Sequence, residues 1–526
     1  MTAPISSHPT VPRSALPFAR LRQRLLPWLV PLALFVLWSV ASAHHWTSKQ
    51  VLPAPALVWQ SALELAAGDL WLNLWISLKR LLGGLLAGVG CGALLGAWLG
   101  SQRLAERMIL PTFTALAQVP TLAWIPLFML CFGIGETLKL IVLIKAVIVP
   151  VTLHTLVGVR DAQPRLREAA QVMGLSRGQR VRLLVLPAAL PAFMAGVRLA
   201  VSAGWASLLA VELLASSEGI GYLMVWARQL FMLDIVFVCI GVIGLLGLMF
   251  DRGLSRVERR LVFWPHPAIA QLRAGSAGRQ RWLAWVLPVA LLALWQSSAA
   301  QGWVNPQLLP APLAVARSVL AGFADASLPL AVGISLTRTL GGLIIGASLG
   351  LFCGLVLGLW RPAERVLAPT FSALRQIAIF AWVPLITAWC GLGEPAKWAF
   401  VALATFFPML VAAQRGVAQL PAQLLEAAQV LRLSRRQRLL RLVLPGCAPY
   451  LFAGLRVALI YAWLGTIGAE YFMPSNGGIG SLMIGAQQLM RMDQILGAML
   501  LVGLTGALLN TLGQFFERRA TRWRHA

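Results

Sequence analysis

Of 526 residues, 59% are hydrophobic and 12% charged, whereas soluble domains carry about a quarter charged residues. So little charge cannot cover a water-facing surface, which excludes a soluble globular protein. The 44 Lys and Arg against 18 Asp and Glu give a net charge of +26, but no aromatic-studded basic face accompanies them, which excludes nucleic acid as a partner.

A hydrocarbon core about 30 Å thick takes roughly 20 apolar residues per helix. In chain order, spans are expected at 26–44, 74–100, 111–132, 137–158, 188–214 and 233–251. A second set is expected at 282–300, 332–359, 369–390, 396–414, 446–470 and 493–515. This predicts an all-α polytopic membrane protein of about 12 transmembrane helices, six in each half. The first stretch follows basic residues as a signal sequence would. It has no clean small-x-small site after a short core and returns at 282–300, so a permanent helix is expected. The six cysteines sit mostly inside apolar runs and form no C-x-x-C pair, which reads as inert thiols with no metal site.

Arginines fix the orientation. They crowd the tail 1–25, the loop 160–187, the linker 257–281 and the end 518–526, while 45–73 and 215–232 are poor in them. By the positive-inside rule both termini, the linker and the loops are cytoplasmic. The expected units are a repeat over 26–256 with its loop at 160–187, and a repeat over 282–517 with its loop at 415–445. An even number of spans per repeat makes the two parallel.

The halves are copies. From Glu168 to Pro187 and from Glu426 to Pro445, 14 of 20 positions are identical at an offset of 258. Trp124-Ile125-Pro126 returns as Trp382-Val383-Pro384, Gly133-x-Gly135-Glu136 as Gly391-x-Gly393-Glu394, and Arg80 as Arg338. Both Gly-x-Gly pairs read as tight turns, since no strand precedes them to make a phosphate cradle. In the first loop Ala169, Val172 and Met173 share one face of a short helix. Glu168 lies in its first turn, favoured by the dipole. Gly174 can end the helix in a left-handed cap, and Ser176 can cap the segment after it. An interfacial helix lying on lipid would also fit; duplication at equivalent places favours two knobs for a partner with two sockets.

Glu-Ala-Ala, then Gly174, then Leu186-Pro187, resembles the cytoplasmic EAA loop of permease subunits of bacterial ABC importers. Ala123-Trp124-Ile125-Pro126-Leu127, Phe132-Gly133-Ile134-Gly135-Glu136 and Leu186-Pro187-Ala188-Ala189-Leu190-Pro191 are similar to the nitrate, sulfonate and taurine branch. The resemblance covers nearly all of both halves and implies a type I importer membrane domain with two permease domains fused in tandem. It implies that Glu168, Ala169, Ala170 and Gly174 form one coupling helix that docks on an ATPase subunit, and Glu426, Ala427 and Ala428 the other. Arg432 stands where the family has Gly. A non-Gly left-handed residue costs about 1 kcal/mol or more, so the second loop is expected to bend differently and to couple unequally.

The chain has no G-x-x-x-x-G-K-[ST] segment. It is therefore read as a permease and not an enzyme, with no cofactor of its own. ATP and Mg would bind two partner ATPase subunits, and a periplasmic binding protein would deliver solute. Because both halves share one chain, a single copy per transporter is expected, in the lipid bilayer of the bacterial inner membrane. The solute would be small, such as a sulfonate or nitrate anion or a related organic compound.

Ionisable residues inside spans are candidates for function. Arg198 and Arg456, and Glu212 and Glu470 14 residues later, would line a pathway or gate. Snorkelling arginines and structurally paired glutamates are the alternative. Gln118 and Gln376 are further pathway candidates, and Trp205 and Trp463 read better as packing. A secondary transporter with two parallel six-helix halves is the competing function; it predicts ion-coupling carboxylates at the midplane and no docking helices.

Overall fold

The computed structural model describes residues 26–46, 48, 50–160, 170, 172–264, 282–474 and 477–520. Every regular element among them is helical. The first half runs α1 (Leu29–Ala43), α2 (Pro55–Ala67), α3 (Leu70–Ser101), α4 (Arg103–Gln118), α5 (Ile125–Phe132), α6 (Glu136–Arg160), α7 (Leu186–Ala215), α8 (Ile220–Gln229) and α9 (Leu233–Leu261). The second runs α10 (Leu283–Ala300), α11 (Pro312–Ala324), α12 (Ser327–Leu359), α13 (Arg361–Leu374), α14 (Val383–Cys390), α15 (Glu394–Ala418), α16 (Ala422–Val430), α17 (Leu444–Phe472), α18 (Ile479–Gln488) and α19 (Met492–Ala520). A π-helical turn, Val181–Val185 or Arg438–Val443, leads into α7 or α17.

Among the described residues, ten helices are long and apolar enough to cross a membrane, or up to 12 if each of two bent pairs counts once. Those pairs correct the straight spans expected at 111–132 and 369–390. α4 and α5 meet at 91°, α13 and α14 at 90°. Val119 is extended ahead of Pro120, a residue that disfavours helix before it and donates no amide. Ala378, which stands where Pro120 does, holds a similar backbone without being a proline. What both bends share is Pro126 or Pro384 in the first turn of the second arm, where proline starts a helix well but cannot continue one. The short helices α2, α8, α11 and α18 occupy loops that carried no helical expectation, and α9 runs to Leu261, beyond the span expected to end at 251.

A ladder of small residues sets the core of each half. Gly84, Gly88, Gly92, Gly96 and Gly100 recur every four residues along one face of α3. A Cβ on Gly84 would lie 2.6 Å from the Leu143 Cβ, and one on Gly88 2.6 Å from the Val147 Cγ1. Gly92, Gly96 and Gly100 meet Val151, Thr155 and Val159 in turn. α3 and α6 therefore run parallel in one fixed register. Gly342, Gly346, Gly350, Gly354 and Gly358 of α12 repeat the ladder against Val401, Thr405, Met409, Ala413 and Val417 of α15. In lipid the hydrophobic effect does not drive helices together, and small residues that let backbones approach supply packing instead.

The halves interlock. α1 packs on α13 of the second half, and α10 on α4 of the first. Each bend rests on the other half's last span: Gly244 and Gly247 of α9 face Ile377 and Gln376, while Gly503 and Gly506 of α19 face Val119 and Gln118.

Candidate functional site

Two regions at opposite ends of the spans carry the chemistry. At the arginine-rich end lie the two loops between the fourth and fifth long spans of each half. α16 ends in a Schellman turn, with the Arg432 amide donating to Gln429 at 3.0 Å and the Leu433 amide to Ala428 at 3.0 Å. The first loop closes the same way, the Leu175 amide donating to Ala170 at 3.1 Å. Gly174 has φ +67° and Arg432 φ +47°. The expectation that Arg432 bends its loop differently is thus corrected: the side chain tolerates the left-handed backbone, and the turn is kept. A capping box comes next in both, between Ser176 and Gln179 and between Ser434 and Gln437.

Ala170 and Ala428 are both buried, at 4% exposed, and fix their turns. Next to them, Val172 and Met173 are 90% and 74% exposed, and Val430 and Leu431 are 83% and 70% exposed. Glu426 and Ala427 are also exposed. Each loop therefore presents an apolar pair flanked by arginines, held by a buried alanine. Glu168 and Ala169 lie outside the described residues.

At the other end, each half holds a buried ion cluster. Arg80 of α3 reaches Glu212 of α7 at 2.9 Å and Glu136 of α6 at 2.6 Å, and Lys139 reaches Glu136 at 2.7 Å. Ser77 donates to Glu212 at 2.9 Å, and the Gly221 amide donates to it at 3.1 Å. The second half repeats this with Arg338, Glu470, Glu394, Lys397, Ser335 and Gly480. Gly219 and Gly478 have φ +102° and +103°, and a Cβ at either would strike the glutamate carboxylate. Glu212 and Glu470 are 1% and 0% exposed, and protein donors meet both oxygens of each. This favours the structural reading of the two glutamates over pathway lining, since they face no opening in this conformation. Burial of a charge is tolerated because pairing and hydrogen bonds offset the lost hydration.

Arg198 and Arg456 sit near the arginine-rich ends of α7 and α17, half-exposed. Arg198 pairs with Asp251 at 2.6 Å, and Arg456 pairs with Glu517 at 3.3 Å and donates to Asn510 at 3.1 Å. Each ties the fifth long span to the sixth. Gln118 and Gln376 stand half-buried at the two bends. Trp205 and Trp463 are buried as packing groups, and the Trp463 indole donates to Val502 at 3.1 Å.

At Gly468 the halves meet through an apolar contact. Leu122 and Phe380 occupy matching places in the two bends, and both press on Gly468 of α17. Sequence reasoning paired Arg80 with Arg338 but gave neither a role; the signal was there, since Ser77, Arg80, Glu136, Lys139 and Glu212 all recur 258 residues later. Lys145, which has no such counterpart, was also missed.

One family pattern occurs twice in this sequence. The sequence pattern of the binding-protein-dependent transport system inner membrane component matches residues 88–263 and again 342–524. The chain is 36% identical over 242 residues to an aliphatic sulfonates transport permease protein of Escherichia coli, covering 46% of this chain and 92% of that one. It is 33% identical over 264 residues to the taurine transport system permease protein of the same species, covering 47% and 96%. A bicarbonate transport system permease protein of Synechococcus elongatus is 33% identical over 248 residues, covering 44% and 88%. Each relative spans about half of this chain.

Proposed function

The chain belongs to the family of binding-protein-dependent transport system inner membrane components, as a tandem fusion of two ABC permease domains, and on that premise we propose that one copy forms the whole translocation pathway of an ATP-driven importer for a small oxyanion. The observation that carries the reading is the pair of equally built loops, each exposing two apolar side chains beside arginines on an anchored turn. Such a patch is costly in water and suits a groove with apolar walls and acidic rims. Two patches call for two ATPase subunits, which would bind the ATP and Mg this chain has no segment to hold.

Arginine density supports placing the loops in the cytoplasm, and the ion clusters then face the periplasm of a bacterial inner membrane, where a binding protein would deliver solute. Glu168, Ala169, Ala170 and Gly174, with Glu426, Ala427, Ala428 and Arg432, are the proposed coupling residues. Arg198, Arg456, Gln118 and Gln376 remain proposed pathway neighbours, Arg198 and Arg456 at its cytoplasmic mouth. The relatives are named for sulfonates, taurine and bicarbonate, all carrying an oxyanion, which supports that class of solute. A secondary transporter gives no reason for paired docking loops.

The test is uptake by proteoliposomes holding this chain, its co-purified ATPase and its binding protein. Accumulation that needs both ATP and the binding protein is expected. Uptake by the chain alone would overturn the reading.

A further inference from the structure

The two bends are alike in backbone but not in chemistry. In the first, Lys145 of α6 donates to the Val119 carbonyl at 2.8 Å and to the Thr121 hydroxyl at 3.2 Å. Its ammonium also lies 5.5 Å from the centre of the Trp124 ring. The Trp124 Nε1 beside it is buried and has no hydrogen-bond partner among the described residues. Lys145 stands nine residues into α6 from Glu136, about 14 Å along the helix, far inside the span.

In the second half Leu403 takes the place of Lys145 and Ile379 that of Thr121. The second bend keeps its angle with neither polar group, 90° against 91°. The fold therefore does not need the lysine to hold a bend. A cation at membrane depth is costly and is retained for a pathway or a partner. No carboxylate pairs with it among the described residues; its partners are a carbonyl, a hydroxyl and a ring face. It also sits where the halves meet, since Val119 packs on Gly503 of α19, and Leu122 meets Phe380 at Gly468.

Resting on the importer reading, we propose that Lys145, with the Trp124 indole N–H and the Thr121 hydroxyl, is the binding point for a small oxyanion inside the translocation pathway. The ammonium supplies charge, and the unpartnered indole supplies a second donor. In the present conformation the Val119 carbonyl holds the place of the anion. The pathway is thus chemically one-sided: the first half reads the solute, and the second offers an apolar wall of Ile379, Phe380 and Leu403.

The experiment uses the reconstituted transporter with ATPase and binding protein, and radiolabelled ethanesulfonate and bicarbonate as probes. Lys145→Leu, which copies the second half, is expected to keep ATP hydrolysis and lose anion uptake at least tenfold, while Lys145→Arg keeps most of it. Anion uptake by Lys145→Leu at the wild-type rate would overturn the inference. So would ATP-driven uptake by the wild type of an uncharged or cationic solute only, which removes the oxyanion as solute but leaves the ATP-driven importer reading standing. Absence of any ATP-driven uptake would instead sink that reading. Should both variants misassemble, the wild type decides: of its five lysines, the 13C-methylated Lys145 resonance should shift saturably with ethanesulfonate and not with ethyl methyl sulfone. No shift overturns the inference.

Discussion

Arg432 holds the same left-handed backbone as Gly174, at φ +47° against +67°, one repeat apart. For a side-chain-bearing residue that conformation costs about 1 kcal/mol. Arg432→Gly should therefore tighten the second turn, with amide exchange at Leu433 slowing roughly fivefold, the equivalent of that energy. Gly174→Arg should loosen the first turn by a similar factor at Leu175. Unchanged exchange in both variants would show that the turn stores no strain.

The pairs Val172–Met173 and Val430–Leu431 are largely exposed. Val172→Asp with Met173→Asp should leave the melting temperature within about a degree of wild type, since surface changes are nearly neutral. The same variant should lose most co-purified ATPase and stop transport. Intact ATPase retention would remove these residues from the docking surface.

The burial and full hydrogen bonding of Glu212 and Glu470 point to stability rather than transport as the role of the ion clusters. Arg80→Met leaves Glu212 buried without its charge partner, a change worth about 3–5 kcal/mol. Arg338→Met should cost a similar amount, because Glu470 is as deeply buried. Thermal unfolding in detergent is expected to show two large, matching losses. A variant that unfolds normally but no longer transports would return Glu212 to the pathway.

Glycine position decides tolerance in the matching helices α3 and α12. A methyl at Gly346 would press on the Ala402 backbone carbonyl, which cannot swing aside, whereas one at Gly90 meets nothing within 4 Å. Gly346→Ala should cost about 1–3 kcal/mol through overpacking, and Gly90→Ala should be neutral or stabilising. Equal effects at the two sites would mean that the ladder does not set the spacing of α12 and α15.

Much of this architecture could be read from residues. Apolar length gave the spans, and the repeat gave the two halves and the paired loops. The five-step glycine ladder was equally legible, because its period of four is visible at Gly84 through Gly100. The right-angle bends were only half legible: Pro120 marks the first break, but Ala378 stands at its place in the second half, where packing against α9 shows the bend. The partners of Glu212 were hidden too, since Arg80 lies 132 residues away and only the packing of α7 on α3 brings it close. Arg432 misled for a plain reason. A local backbone preference of about 1 kcal/mol is outweighed when Ala428 is buried and the turn's hydrogen bonds are made.

One chain that presents two equivalent coupling turns should hold two ATPase subunits. Native mass spectrometry of the transporter purified from its own membranes measures this directly. One permease chain with two ATPase subunits is the predicted composition, with both subunits lost together when Val172, Met173, Val430 and Leu431 are all replaced by Asp. Two permease chains in one complex, or a complex that retains no ATPase, would contradict it.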